Sequence, residues 1–555
     1  MSNTPPRCSH EFDPTAAGAD PDDYREVTDD DGVWRCPHQT DPAGAANAAG
    51  MPEVGGTDRC PFHTDAAATD TRTLTEWFRQ TVADPDTPSE FLDVELGDVD
   101  LTYDVLEAAS NRPIDLRHAT VDGDFRLAHA TVRQRLRLDD ARLTGELDCQ
   151  YAEFDETLSA EGVTAGEGVN FEEATFREPV YLSDATFDGT CRWIEAEFRA
   201  GVWCNRATFG KLKTHRVTAD DSVDLSEAEI DEIQLRQGKV QGRALFNQTT
   251  FDTASFAETQ FHETVQFDGT RLSERLSLRN VTVDDELIVQ DVRTPPDGTV
   301  VRLNGAHVEG GRLCPAVADS DGTDTGPLVY DLVGATVGDV SLGSGATLDH
   351  YRFLDTTFEG FDFAAYRDRL AAVDWQLQAV EWPASRETDE RASTPSPGRV
   401  EATFLKAKNG ANEVGDTTAA AEFFRREMQA RRRTHGRQVF HGGGVERAVA
   451  AGRWVGNVLL GTVAGYGERP WRVVATAAVV VSAGAGGFSL LLDSPPHDHP
   501  VGYLVVSLES FLTLVLAGGA SISSPWVRLF ALIEAFVGAF LVALFVFTLT
   551  RSIHR

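Results

Sequence analysis

From about residue 115 the chain repeats an alanine-x-apolar triad every eleven residues. The triads begin at Ala119, Ala130, Ala141, Ala152, Ala174, Ala185, Ala196 and Ala207, with Val163 in the one remaining place. Two residues after each alanine comes Val121, Val132, Leu143, Phe154, Phe176, Phe187, Phe198 or Phe209. Six and eight residues after it sits a second apolar pair, as in Phe125 with Leu127, Leu136 with Leu138, Val180 with Leu182, Cys191 with Trp193 and Val202 with Cys204. Such offsets form no single helical face, because a helix brings together positions three and four apart. Alternation over three residues makes a very short strand with one buried side, and the charged and small polar residues between make a corner. Neither strand of an eleven-residue unit buries its apolar side alone, so successive coils must stack as a β-solenoid. Small alanine against large phenylalanine suits a narrow interior. The rhythm continues less regularly through Ala228, Phe251, Phe261, Val283, Ala306, Ala335 and Ala346 and ends near Phe358.

Runs such as FEEATFREPVYLSDATFDG resemble the divergent branch of the pentapeptide-repeat family, in which Ala-x-Phe triads recur. The resemblance implies a right-handed quadrilateral β-helix. Strict members repeat every five residues, whereas the steps here alternate six and five. A four-sided coil of about twenty-two residues is therefore expected, with a less regular solenoid as the alternative. Cys149, Cys191 and Cys204 fall at inward positions and read as core. The expected fold class is mainly β: a solenoid of eleven-residue units over 114–360, with a helical cap at 71–113 (TLTEWFRQTVADP) and a helical cap and linker at 361–400 (FDFAAYRDRLAAVDWQLQAVEW, then SRETDERASTPSPGR). An α-helical membrane domain follows.

Residues 1–70 carry RCSH, RCPH and RCPFH, which pair Cys8 with His10, Cys36 with His38 and Cys60 with His63. The Gly, Ala, Asp and Pro tracts between them bury too little apolar surface to fold unaided. Thiolate and imidazole are zinc ligands, and a bound metal supplies folding energy. These six residues are thus candidate zinc ligands, although two pairs are separated by a single residue and match no standard finger. The alternative is a disordered tail with incidental cysteines.

The formal net charge is -37, and lysine is nearly absent. This is similar to the surface of proteins working in concentrated salt, where repulsion is screened within a few ångströms; a halophilic protein is expected. No basic patch points to nucleic acid, and the amino terminus lacks a secretory layout, which places the bulk of the chain in the cytosol. Seven cysteines suggest no disulfide framework. No phosphate loop, nucleophile elbow or zinc-protease motif is present, so no enzyme is expected.

Residues 401–470 read as juxtamembrane basic helices. In AAAEFFRREMQARRRTHG, Asp416 can cap the helix and Gly436 can end it. Arg425, Arg426, Arg431, Arg432 and Arg433 form a basic block that would meet anionic lipid headgroups or pair with acids of the same chain. Next comes GYGERPW at 465–471. It precedes the first apolar run and is therefore read as a turn into an interfacial Trp471 and Arg472 anchor, not as an ion filter.

Within 471–555, Val473–Leu492 and Val527–Thr548 are long enough to cross a bilayer, and the apolar, glycine-broken stretch between them suits a re-entrant half-helix. Arginines before the first span and after the second put both termini in the cytosol. This layout is similar to the two-helix potassium-channel pore module, and LFALIEAFVGAFLVALFVFTLTR resembles its inner helix, with Glu534 and Gly538 in the places of its acid and its hinge glycine. Filter-equivalent positions are Thr513 and Ala517-Gly518-Gly519-Ala520, without the family's aromatic-Gly-Asp. Glu509 and Glu534 are acids at membrane depth and hence functional candidates, or packing links between half-helix and second span. Two functions remain. One is a monovalent-cation channel or channel-related protein, a homotetramer whose cytosolic solenoid couples an unidentified partner to opening. The other is a non-conducting, membrane-anchored interaction scaffold.

Overall fold

The computed structural model describes residues 7–38, 58–63, 71–83, 88–107, 112–316, 325–343, 347–378, 395–441, 444–467, 469–492, 499, 501–516 and 524–553. They form two compact units that divide at Phe353 and Leu354.

The first unit is a parallel β-solenoid of about 11 turns. Four short strands, Leu136–Arg137, Arg142–Leu143, Glu146–Asp148 and Glu153–Phe154, pass before the chain returns to pair Leu158–Ser159 with Leu136–Arg137. The coil is thus twenty-two residues with four sides, as the alternating steps of six and five require. Further along, two sides merge into longer strands, Thr186–Ile194 and Thr208–His215, and Thr208 pairs with Glu229, one residue short of a full coil.

Triad alanines close tight turns. The Ala119 N–H donates to the Leu116 carbonyl at 3.1 Å, and Ala130 and Ala141 repeat the bond to Leu127 and Leu138. The residue before the alanine is left-handed: His118, His129, Asp140, Tyr151, Glu173 and Asp184 have φ between 52° and 58°. A side chain at that conformation is strained by about 1–2 kcal/mol, so the corner is held by the ladder and not by local preference. The alanines are fully buried, and Phe154, Phe176 and Phe198 stack in a column with centroids 4.8 and 5.1 Å apart. Each such ring contributes about 1.5–3 kcal/mol by leaving water. Cys149, Cys191 and Cys204 are buried, as their register predicts.

The ladder begins earlier than residue 114. Glu95–Leu96, Val99–Asp100 and Val105–Leu106 already pair with the next coil, so much of the stretch read as a helical cap is a first coil, and only Thr71–Ala83 is its helix. This coil has no Ala-x-Phe triad, and its offset of twenty-five between Glu95 and Thr120 hides the period. The described residues 7–38 and 58–63 pack against it. Glu11–Phe12 pairs antiparallel with Trp34–Arg35, Trp34 Nε1 donates to Glu90 at 3.0 Å, and the Arg117 guanidinium, bound to Asp115 at 2.6 Å, lies 3.8 Å from the Tyr24 ring centre.

The second unit is helical. Asp416 caps Thr417–His441 by accepting the N–H groups of Thr418 and Ala419, as its position predicts. Gly436 does not end that helix, which runs on to His441; Gly436 instead faces the Trp454 indole on Gly444–Ala464. Pro397–Glu413 packs along Thr417–His441, and buried Glu427 binds both Lys408 at 2.7 Å and Arg431 at 2.8 Å. The rest of the predicted cap and linker, 379–394, lies outside the described residues. Two helices, Pro470–Leu491 and Pro525–Thr550, are long and apolar enough to cross a membrane, and the shorter Gly502–Leu516 stands between them in sequence.

Candidate functional site

Four of the six predicted zinc ligands converge. The ligand atoms of Cys8, Cys36, Cys60 and His63 all lie within 4.8 Å of one another, and all four residues are buried. Cys36 Sγ is 3.7 Å from Cys60 Sγ, Cys8 Sγ is 3.7 Å from His63 Nδ1, and Cys60 Sγ is 3.1 Å from His63 Nδ1. Ligands on a tetrahedral zinc stand about 3.3–3.8 Å apart, given its bond lengths. His63 Nε2 donates to the Leu92 carbonyl at 3.0 Å, which leaves Nδ1 as the lone-pair atom facing the thiols. The Cys60 N–H donates to Cys8 Sγ at 3.1 Å, and bonds from the Cys36 and Cys60 thiols hold Cys8 below the ordinary thiol range.

His10 and His38 stand outside this cluster. His10 stacks on His63 at 3.9 Å and reaches Asp93 at 3.0 Å. His38 bonds the Glu90 carbonyl through Nε2 at 2.8 Å, and burial pushes it down to about 4, so it is a neutral core histidine. The spacing carried a sign of this division, since one residue separates His10 and His38 from their cysteines whereas two separate His63 from Cys60. The division itself depends on backbone carbonyls contributed by Leu92 and Glu90, far along the chain.

In the helical unit, Ser507 of Gly502–Leu516 places its hydroxyl 2.5 Å from Glu534 Oε1 and 2.8 Å from the Val481 carbonyl. One side chain thereby ties the half-helix to both long helices. Glycines permit the approach: Gly484 abuts Glu534 and Ser507, and Gly538 abuts the Phe511 carbonyl. Gly538 lies inside the continuous helix Pro525–Ile553, so its evident role is close contact. Glu509 does not meet Glu534; it is exposed on the half-helix, where its carbonyl accepts the Thr513 hydroxyl at 2.6 Å. Ala517, Gly518, Gly519 and Ala520 lie outside the described residues.

The basic block divides. Arg431 is held by Glu401 at 2.7 Å and by Glu427, and Arg433 is exposed. Arg425, Arg426 and Arg432 instead line a cavity of about 260 Å³ together with Arg469 and Arg472, which come from the far side of the GYG turn. Gly465, Tyr466 and Gly467 have φ of 56°, 60° and 89°, and this left-handed run reverses the chain between Gly444–Ala464 and Pro470–Leu491. Tyr466 then bonds Asn457 through its hydroxyl at 2.9 Å. GYG is a turn, as its position requires, and it also shapes this cavity.

Residues 171–212 match the family model for pentapeptide repeats (nine copies). Comparison with curated proteins and with solved structures returns no match.

Proposed function

We propose that the chain is a pore-loop membrane protein that conducts small monovalent cations, with its solenoid in the cytosol. The observation that carries this reading is the half-helix. Its fifteen residues extend about 22 Å at 1.5 Å per residue, short of a bilayer core of about 30 Å, yet Ser507 fixes it to Val481 and Glu534 of the two long helices. Such a helix must turn back within the membrane, and the chain that follows it carries Ala517 to Ala520 toward Pro525. Exposed Glu509 demands a neighbouring copy or an aqueous path. Four copies, as the potassium-channel resemblance implies, would surround one axis. Reconstituted vesicles test this: native protein should release a potassium gradient, and Gly518→Val with Gly519→Val should abolish release without changing insertion. A second reading, a non-conducting anchor that displays the solenoid to an unidentified protein partner, draws on the sequence AGGAS, which lacks an aromatic-Gly-Asp filter.

The Cys8, Cys36, Cys60 and His63 cluster is, in this account, a structural zinc site. A closed Cys3His set offers no open position for catalysis. Its role is to tie three separate N-terminal stretches together next to the first coil, where short, polar segments supply little core of their own.

A further inference from the structure

We infer that the cavity beside the GYG turn is a binding site for a phosphate group. Five guanidinium groups, from Arg425, Arg426, Arg432, Arg469 and Arg472, line it. Among the described residues two carboxylates reach the set: Glu422 pairs with Arg425, and Asp374 with Arg426. Arg432 and Arg469 have no acidic partner among the described residues, and the Arg472 guanidinium donates to the Gly461 carbonyl, at 3.5 Å. The chain as a whole is rich in carboxylates, so five arginines gathered around open space with two acids is a concentration that folding alone does not call for. Arg426 Nε is buried and without a hydrogen-bond partner among the described residues. Burial, with the neighbouring charges of Arg469, Arg426 and Arg472, pushes Arg425 down to about 10, the mark of cations crowded without enough counter-charge.

The chemistry that relieves this is a compact, multiply charged oxyanion. Planar guanidinium forks match phosphate oxygens in pairs, and the N-terminus of Pro470–Leu491 adds the positive end of a helix dipole. Its location supplies one source. Exposed Trp471 marks the water interface next to the cavity, the level of lipid phosphates. A free phosphate would satisfy the same donors. In either case the ligand joins Thr417–His441, which carries Arg425, Arg426 and Arg432, to the start of the first long helix. Anion occupancy would thus stiffen a connection between the cytosolic helices and the membrane segment.

The experiment uses the full chain in concentrated potassium chloride, where diffuse attraction is screened. Binding is measured to inorganic phosphate, to vesicles containing phosphatidic acid, and to phosphatidylcholine vesicles. Arg432→Gln and Arg469→Gln, which lie on different elements, should each weaken the anion interaction at least tenfold, with Arg469→Lys intermediate. Arg433→Gln removes the same charge outside the cavity and should change it less than twofold. Phosphate binding in solution would identify a free anion as sufficient; binding to phosphatidic acid vesicles alone would identify the headgroup. Equal losses in Arg433→Gln and Arg469→Gln, or no binding to either phosphate source, would overturn the inference.

Discussion

The Ser507 hydroxyl lies 2.5 Å from Glu534 Oε1 and 2.8 Å from the Val481 carbonyl, so a single oxygen links all three apolar helices. Ser507→Ala should destabilise the helical unit by about 0.6–1.7 kcal/mol, the range for such links between membrane helices. Gly538→Val, which drives a branched side chain into the Phe511 carbonyl, should cost more and separate the half-helix from the second long helix. Thermal unfolding of detergent-solubilised protein, followed by helical circular dichroism because the helical unit carries no cysteine, reads both. Equal stability of Ser507→Ala and native protein would mean that the link is dispensable.

Metal content distinguishes the histidines. The native chain should bind one zinc, Cys60→Ser and His63→Ala should lose it, and His10→Ala and His38→Ala should keep it, since their rings contact Asp93 and the Glu90 carbonyl. Chelation should lower the unfolding temperature and expose the Glu11–Phe12 and Trp34–Arg35 strands to protease. Retention of zinc by His63→Ala would show that the Nδ1 geometry is misread.

The solenoid column makes a steeper prediction. Phe176 stacks on both Phe154 and Phe198 and is 1% exposed. Phe176→Ala should cost about 3–5 kcal/mol. Trp193→Asp should be worse, because it leaves a carboxylate in apolar surroundings. An unmoved thermal transition in either variant would refute the inward register.

Corners behave differently from sides. Glu227 has φ of 61° and stands directly before Ala228, as the other left-handed corner residues stand before their triad alanines. Glu227→Gly should leave stability within about 1 kcal/mol, because relieved strain offsets lost chain stiffness. Glu227→Val should cost about 1–3 kcal/mol, since a branched residue resists that conformation. Chemical denaturation compares the two; similar losses would mean that the backbone conformation is not what limits this position.

The solenoid was legible because Ala119, Ala130 and Ala141 repeat a physical requirement, a small residue closing each turn, at a fixed interval. Its first coil was not, since Leu96, Val99 and Leu106 bury the same side without the triad and at a longer offset. Cys8, Cys36 and Cys60 were legible as ligands by residue type, and the wider gap between Cys60 and His63 set that histidine apart; the partners that hold the three rings, Asp93 for His10 and the Glu90 and Leu92 carbonyls for His38 and His63, appear only after folding. The arginine cavity was half visible. Arg425, Arg426 and Arg432 stand in one helix, but Arg469 and Arg472 join them only through three consecutive left-handed residues, which a sequence does not announce when one of them is tyrosine.

The most direct test of the pore-loop account is single-channel recording of the full chain in planar bilayers at high potassium chloride. The account predicts discrete currents whose amplitude falls in Glu509→Gln and which vanish in Gly518→Val. Silence from native protein shown independently to be folded and inserted would contradict it and leave the membrane segment as an anchor.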